Sequence, residues 1–416
     1  FAIIGATIAE NFGVDMPESM NDGHGQLGVL FGAKLVGCNF INTSSANHGG
    51  AFCISDEYNG GGERVASSLT NCNFINITSR WFAVYIHGNY SNTARFLNES
   101  QVLENCNFIN CTGTGEYGGA LGISHNNVLI RNCNFTDNTG GEGSAIMVGG
   151  IKFDHDGFLG NNTEGNNITI DNCIFKNNVA KTEGQSSSIS PNLTEPTTPT
   201  GYAGAVFVYG NHTNIIDSVY INNTAVDSCG AAIYIEGQNT TVTGSEFYDH
   251  NSANGTIYLV GNDCEISDSY FHDNNASSTG SCIFIIGNSA EIGNTTFVNN
   301  TAPDGGCIFI KGDHTLIDND TQFISNNATN GAGVYINGSD TQILNSSFIN
   351  NTAVNGAGAL INGHDTYVNG SGFEGNNATN GGAVYIEGNI NILSNNTFFK
   401  NNVTNQGGAV YLNGHN

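Results

Sequence analysis

Positive charge is what this 416-residue chain has least of: 10 Lys and Arg stand against 36 Asp and Glu, a formal net charge of −26. Beyond residue 200 the only basic side chains are Lys311 and Lys400. A phosphate backbone is bound by Lys and Arg that displace its counterions, so this composition excludes nucleic acid as a partner. An anionic membrane surface would repel the chain too. No run of about 20 apolar residues occurs, so no direct membrane insertion is expected within this segment. Charged residues of either sign are only 11%, Trp occurs once, and no stretch has an apolar period of 3.6. With 56 Gly and abundant Asn, Ser and Thr, a helical fold is ruled out and a turn-rich all-β chain is left.

What is present is a repeat. Phe297, Phe323, Phe348, Phe373 and Phe398 each open a copy, at spacings of 26, 25, 25 and 25. Earlier copies start at Phe40, Phe74, Phe108, Phe135, Phe175, Tyr220, Phe247 and Phe271, which makes thirteen, with irregular spacing in the first half. A fixed period of this length means one unit stacked on itself, so the chain is read as a single domain over 1–416. Residues 1–180 hold irregular coils with insertions, 181–203 a Ser/Thr/Pro-rich inserted loop, and 204–416 regular coils.

Within residues 373–397 the order is Phe373, a polar Asn-Asn turn, Gly381-Gly382, an apolar strand Ala383–Ile386, a turn, a short strand near Ile392, and the next Phe. Three short extended segments separated by Gly and Asn turns fit one coil of a parallel β-helix. At a rise of about 4.8 Å per coil, the stack would be on the order of 60 Å long. The Phe residues would form an internal column, and the paired Asn residues would sit at left-handed corners and bond to their equivalents above and below.

The chain has 11 Cys, an odd number. Cys38, Cys72, Cys106, Cys133 and Cys173 each lie two residues before the repeat's aromatic, where later copies carry Ser, Thr or Asn. Either this is a stacked column of small side chains, or neighbouring coils are close enough for disulfides. Cys282 and Cys307, at matching positions of adjacent copies, are the best candidate pair. The chain also holds 25 Asn-x-Ser/Thr sequons, among them Asn222, Asn299, Asn327, Asn350, Asn377 and Asn402. They arise either by accident of an Asn- and Thr-rich composition or because the surface is secreted and glycosylated.

The main strand raises a separate question. Its central position is Phe207, Tyr234, Tyr258, Phe284, Phe309, Tyr335, Tyr385 or Tyr411, with Leu360 in one copy, flanked by Val or Ile. Alternation puts the aromatic residues on one face and Val and Ile on the other, and both faces are apolar. If the aromatics face outward they form a candidate contact ladder for sugar rings or a second copy of the chain; if inward, they join the core.

Catalytic or metal-binding patterns are sparse. Asp263, Asp313, Asp340 and Asp365, with His314, His364 and His415, recur at one turn, but one carboxylate per coil is thin for calcium and the nearest His pair is two coils apart. No metal and no cofactor is expected. The four arginines, Arg64, Arg80, Arg95 and Arg131, are scattered through the irregular half, which places a polysaccharide-degrading site, if there is one, in the loops before residue 170.

Gly-Gly-Ala followed by an aliphatic residue, as at Gly118–Leu121, Gly381–Val384 and Gly407–Val410, alternates with Phe-x-x-Asn, as at Phe135–Asn138, Phe297–Asn300 and Phe373–Asn376. The pattern resembles the repeats of chlamydial polymorphic membrane proteins and of the adhesin-like surface proteins of methanogenic archaea. That resemblance covers nearly the whole chain and implies a right-handed parallel β-helix at the cell surface, with the sequon-rich composition closer to the archaeal group.

The expected function is accordingly that of a non-catalytic, glycosylated, extracellular adhesin-like protein, whose partners are surface glycans or neighbouring copies of itself. The alternative is a structural subunit of a sheath, filament or envelope layer. A polysaccharide-degrading enzyme is a remote third.

Overall fold

The computed structural model describes residues 2–4, 7–9, 12–13, 29–30, 34–45, 50–55, 67–87, 101–115, 118–149, 165–181, 202–225 and 227–413. The Ser/Thr/Pro-rich loop therefore lies outside the described residues except at Lys181, Tyr202 and Ala203, as do Arg64, Arg95 and His415. Every regular element among the described residues is a β-strand. All strand pairs are parallel, and the fold is a parallel β-helix of about 13 coils. Two compact units divide it, one of residues 1–219 and 223–226, the other of 220–222 and 227–416.

Each coil gives one strand to each of three long sheets. In the second unit one coil runs through Glu291–Gly293, Thr296–Val298 with the core Phe297, and Ile308–Ile310, the main strand. Each strand pairs in register with its equivalent one coil on, as Phe297 with Phe323 and Phe309 with Tyr335. The first unit repeats this plan, as Phe74 with Phe108. It also has a rung ahead of the first aromatic copy, Thr7–Ala9, in which Ile8 is in register with Phe40. The aromatic marker missed that rung because the position holds Ile.

Left-handed corners in each coil explain the composition. Before the Phe strand, after it and after the main strand, a residue takes positive φ, for example Asn294 at 45°, Asn299 at 57° and His314 at 59°. A left-handed backbone costs most L-residues about 1–2 kcal/mol, and Asn, Asp and Gly least. Asp263, Asp340 and Asp365 hold this same corner, at φ 54°, 52° and 56°, so the backbone accounts for that recurring acidic turn.

The core is columnar. Phe rings stack at centroid distances of 4.7–5.0 Å from Phe40 to Phe175 in the first unit, and of 4.5–5.2 Å from Tyr220 to Phe398 in the second. Beside them runs a ladder of buried asparagines, one member of each Asn-Asn pair in the regular coils: the second at Asn300 and Asn351, the first at Asn274, Asn326 and Asn376. Asn326 Nδ2 donates to the Phe297 carbonyl and to Asn351 Oδ1, both at 3.0 Å. Its Oδ1 accepts from the Asn300 backbone N–H at 2.9 Å and from Asn300 Nδ2 at 3.1 Å. A buried amide that uses both hydrogens and its oxygen replaces its lost water contacts. Asn138 and Asn178 bond in the same way in the first unit.

Candidate functional surface

The main-strand sheet was the open question, and burial decides which face points inward. Val384 is 0% and Ile386 2% exposed, whereas Tyr385 between them is half-buried and donates its hydroxyl to Glu387 Oε1 at 2.9 Å. Val and Ile thus line the core and the aromatic column lies on the outer face. The strand backbone and the aromatic column itself demand glycine on the preceding bend. A Cβ on Gly305, at φ 61°, would lie 3.1 Å from the Phe309 Cβ, and one on Gly356 3.0 Å from that of Tyr385.

Facing outward does not make the column a contact ladder. Phe207, Tyr234, Phe284 and Phe309 are only 2%, 1%, 5% and 6% exposed. From Tyr234 to Phe309 the rings also stack: Tyr258 lies 5.2 Å from Tyr234 and 4.8 Å from Phe284, and Phe284 lies 5.1 Å from Phe309, with ring planes within 10° of parallel. Rings stacked along the coil axis cover one another's faces and show only edges, so they cannot also stack on a sugar ring. This corrects the ladder reading for those four residues. Tyr258, Tyr335, Tyr385 and Tyr411 remain half-buried. Tyr335 turns edge-on to Phe309, at 71°, and its other in-register neighbour is Leu360, where the run of rings breaks. Burial, with Glu387 next in effect, pushes the Tyr385 phenol up to about 12; burial, then Asp304 and Glu387, raises that of Tyr335.

The cysteine positions resolve as thiols. All ten described cysteines are buried thiols outside any disulfide; Cys53 lies outside the side chains described. Cys133 Sγ donates to the Arg131 carbonyl at 3.2 Å and accepts from the Cys106 N–H at 3.4 Å. Ser245 repeats this pattern with a hydroxyl, donating to the Thr243 carbonyl at 3.0 Å. The slot is therefore a column of small side chains that can both donate and accept, and a thiol or a hydroxyl fills it. Cys282 and Cys307, the candidate disulfide, are two buried thiols on adjacent coils, and burial together with the Cys282 thiol raises Cys307 well above the usual thiol range.

All six candidate glycosylation residues, Asn222, Asn299, Asn327, Asn350, Asn377 and Asn402, are exposed. At the remaining turn, Asp313 Oδ1 accepts the Ser339 N–H at 2.7 Å and His364 Nδ1 accepts the Asn389 N–H at 3.2 Å, so these side chains cap the next coil. His314 Nδ1 lies 3.4 Å from Asp340. Among the described residues no three His, Cys, Asp or Glu side chains gather as metal ligands would.

Two constellations in the second unit went unread in the sequence. One is an open groove of about 450 Å³ lined by Glu265, Asp268, Glu291 and Asp320 around Gly293. Burial, then Asp318 and Glu265, raises the Glu291 carboxyl. Glu265 and Glu291 are in register on adjacent coils, a signal that was available in their spacing. The other is His272, whose Nδ1 is 2.8 Å from Asp273 and Nε2 3.3 Å from Glu246, with Tyr248 stacked on its ring at 4.8 Å and Tyr270 tilted against it at 4.7 Å. Other coils place varied residues at those outer positions, for example Asn107 and Ile109 or Thr296 and Val298.

Among the described residues no helix is long and apolar enough to cross a membrane. Compared with family models, curated proteins and solved structures, the chain matches none.

Proposed function

We propose that this chain is a non-catalytic, glycosylated extracellular protein of adhesin-like type, whose stacked coils serve as a scaffold that presents surface to glycans or to other copies of itself. The observation that supports it most is the exposure of all six candidate sequon asparagines, each on a corner where an attached sugar would project into solvent. The buried polar positions support it too: the ladder amides and the Cys/Ser/Thr slots are engaged in holding one coil on the next. Intact mass before and after enzymatic removal of N-glycans from secreted material tests this reading. A mass excess that collapses on treatment is expected; an unmodified mass would overturn it.

A second reading, assembly into a sheath, filament or envelope layer, is favoured by the half-buried tyrosines Tyr258, Tyr335, Tyr385 and Tyr411, which bring apolar surface to one outer face. Particle imaging at low concentration separates the two. Isolated particles support the adhesin-like reading, and ordered tubes or fibres support assembly.

A further inference from the structure

Where the sequons sit, and where they do not, follows a rule. The eight buried asparagines, Asn138 to Asn376, form the inner ladder, and none of them begins a sequon. Their position two residues on holds Ala or Gly, as Ala302 after Asn300 and Ala353 after Asn351. Ser does occur in that interior slot, at Ser45, Ser79 and Ser252, but there the ladder residue is Thr43, Ile77 or His250. Ladder Asn and slot Ser never meet in one coil.

Exposed sequons that flank the ladder in the second unit are staggered from Asn275 to Asn377. Asn299 and Asn350 stand at the left-handed residue just ahead of a ladder Asn, whereas Asn275, Asn327 and Asn377 stand just behind one. From Asn275 to Asn377 the site switches sides coil by coil, so that in the rear column Asn275, Thr301, Asn327, Thr352 and Asn377 pair in that order; the alternation ends at Asn402, which follows Asn377 on the same side. Between Asn275 and Asn377, sites within one column are thereby two coils, about 10 Å, apart rather than about 5 Å.

We infer that from Asn275 to Asn377 N-glycans are carried one per coil at this corner, staggered between its two columns, and that the buried ladder is kept free of sequons because a modified ladder could not form. The inference rests on the extracellular reading above. Modification forms a bond from the sugar's anomeric carbon to Asn Nδ2 and breaks that carbon's bond to the phosphate of a lipid-linked glycosyl phosphate donor. One Nδ2 proton leaves as the phosphate departs. An exposed corner Asn tolerates this: Asn402 gives one Nδ2 hydrogen to Asn377 Oδ1 at 3.1 Å and keeps the other for the bond to sugar. Asn326 uses both, and has none to lose.

The test is Ala302→Ser, which turns the ladder residue Asn300 into the start of a sequon, expressed in a secreting host that N-glycosylates and in a bacterial cytosol that does not. Wild-type melting in the bacterium with at least tenfold lower secreted yield in the glycosylating host is expected. Equal yield with Asn300 carrying sugar would overturn the inference. Should Ala302→Ser fail in both hosts, Ala353→Ser asks the same of Asn351. Glycopeptide mapping of the wild-type chain closes the test. Sugar on Asn299, Asn327 and Asn350 at high occupancy supports the stagger. Equal occupancy at Asn134, half-buried on a flat sheet face, refutes it while leaving the extracellular reading intact. No sugar at any sequon sinks both.

Discussion

The two compact units use one coil plan with two chemistries. In the first, the slot ahead of the Phe strand is Cys38, Cys72, Cys106, Cys133 and Cys173 in successive coils, and only Ser218 breaks the series; in the second it is Ser, Thr or Asn throughout. The slot's bonds differ accordingly, with sulfur donating at 3.2–3.6 Å from Cys133, Cys106 and Cys38 and hydroxyls at 2.7–3.0 Å from Ser269, Ser346 and Ser245. The amide ladder differs too: the first unit starts it with Thr43, Ile77 and Cys111 before Asn138, whereas the second runs unbroken from Asn274 to Asn401. Sulfur contributes burial and weak hydrogen bonds; the amide and hydroxyl columns contribute stronger, directional ones. The ladder holds corners and not coil length, since Asn138, Asn178 and Asn223 make the same bonds across 40 and 45 residues.

The largest test of that difference is to break the ladder where it is continuous. Asn351→Ala strips partners from the Asn326 N–H and Nδ2, the Phe323 carbonyl and Asn376 Oδ1. Buried groups left unpaired cost about 1–3 kcal/mol each before relaxation, so a loss of about 3–5 kcal/mol is expected in urea unfolding. Asn107→Ala, in the half-buried outer ladder of the first unit, removes bonds to Asn73 and Asn134 at groups that water can reach, and should cost about 1 kcal/mol or less. Equal losses would show that the inner ladder is not what sets the second unit apart.

Alkali should sharpen the contrast next. Hydrogen bonding to the neighbouring thiol, with burial, pushes Cys106 up to about 12, and Cys133 in the same column also stands at about 12. A thiol whose folded value lies above its unfolded 9.0 contributes stability that is intact below pH 9 and lost as pH rises towards 12, since only the unfolded chain ionises there. Each such group takes about 1.4 kcal/mol per pH unit across that window. The Cys106→Ser, Cys133→Ser double variant should flatten the decline by about 2–3 kcal/mol per unit; an unchanged slope in pH-dependent melting would refute the assignment. The converse swap, Ser346→Cys in the second unit, exchanges a hydroxyl bond at 2.9 Å for a sulfur one and should cost about 1 kcal/mol.

How much of this was legible in the sequence depends on whether a residue repeats. The Phe column and the Cys/Ser slot recur in nearly every coil and the buried Asn in most, so stacking could be read from spacing alone. Orientation of Tyr385 could not, because Val384 and Ile386 are as apolar as the tyrosine and alternation does not say which face is inside. Nor did spacing reveal that aromatic residues on adjacent rungs cover each other, since that depends on ring planes lying across the coil axis. His272 was missed because its partners Glu246, Tyr248 and Tyr270 occupy a single place in the stack, and a one-time cluster leaves no period.

The smallest predicted effect falls on that cluster. The hydrogen bond from His272, then that from Asn299, holds the Asp273 carboxyl below its usual range. A depressed carboxylate contributes stability present above the ordinary Asp range and lost as pH falls through its folded value. Asp273 is largely solvated, so screening keeps its share small. The readout is therefore the titration of this one carboxyl by NMR and not the melting point. His272→Gln should return it toward 3.8 with the melting temperature near neutrality almost unchanged. Were the carboxyl to stay low in the variant, Asn299 would be its main partner, and the His272 cluster would lose its claim to be a coupled unit on a sheet otherwise occupied by repeat residues.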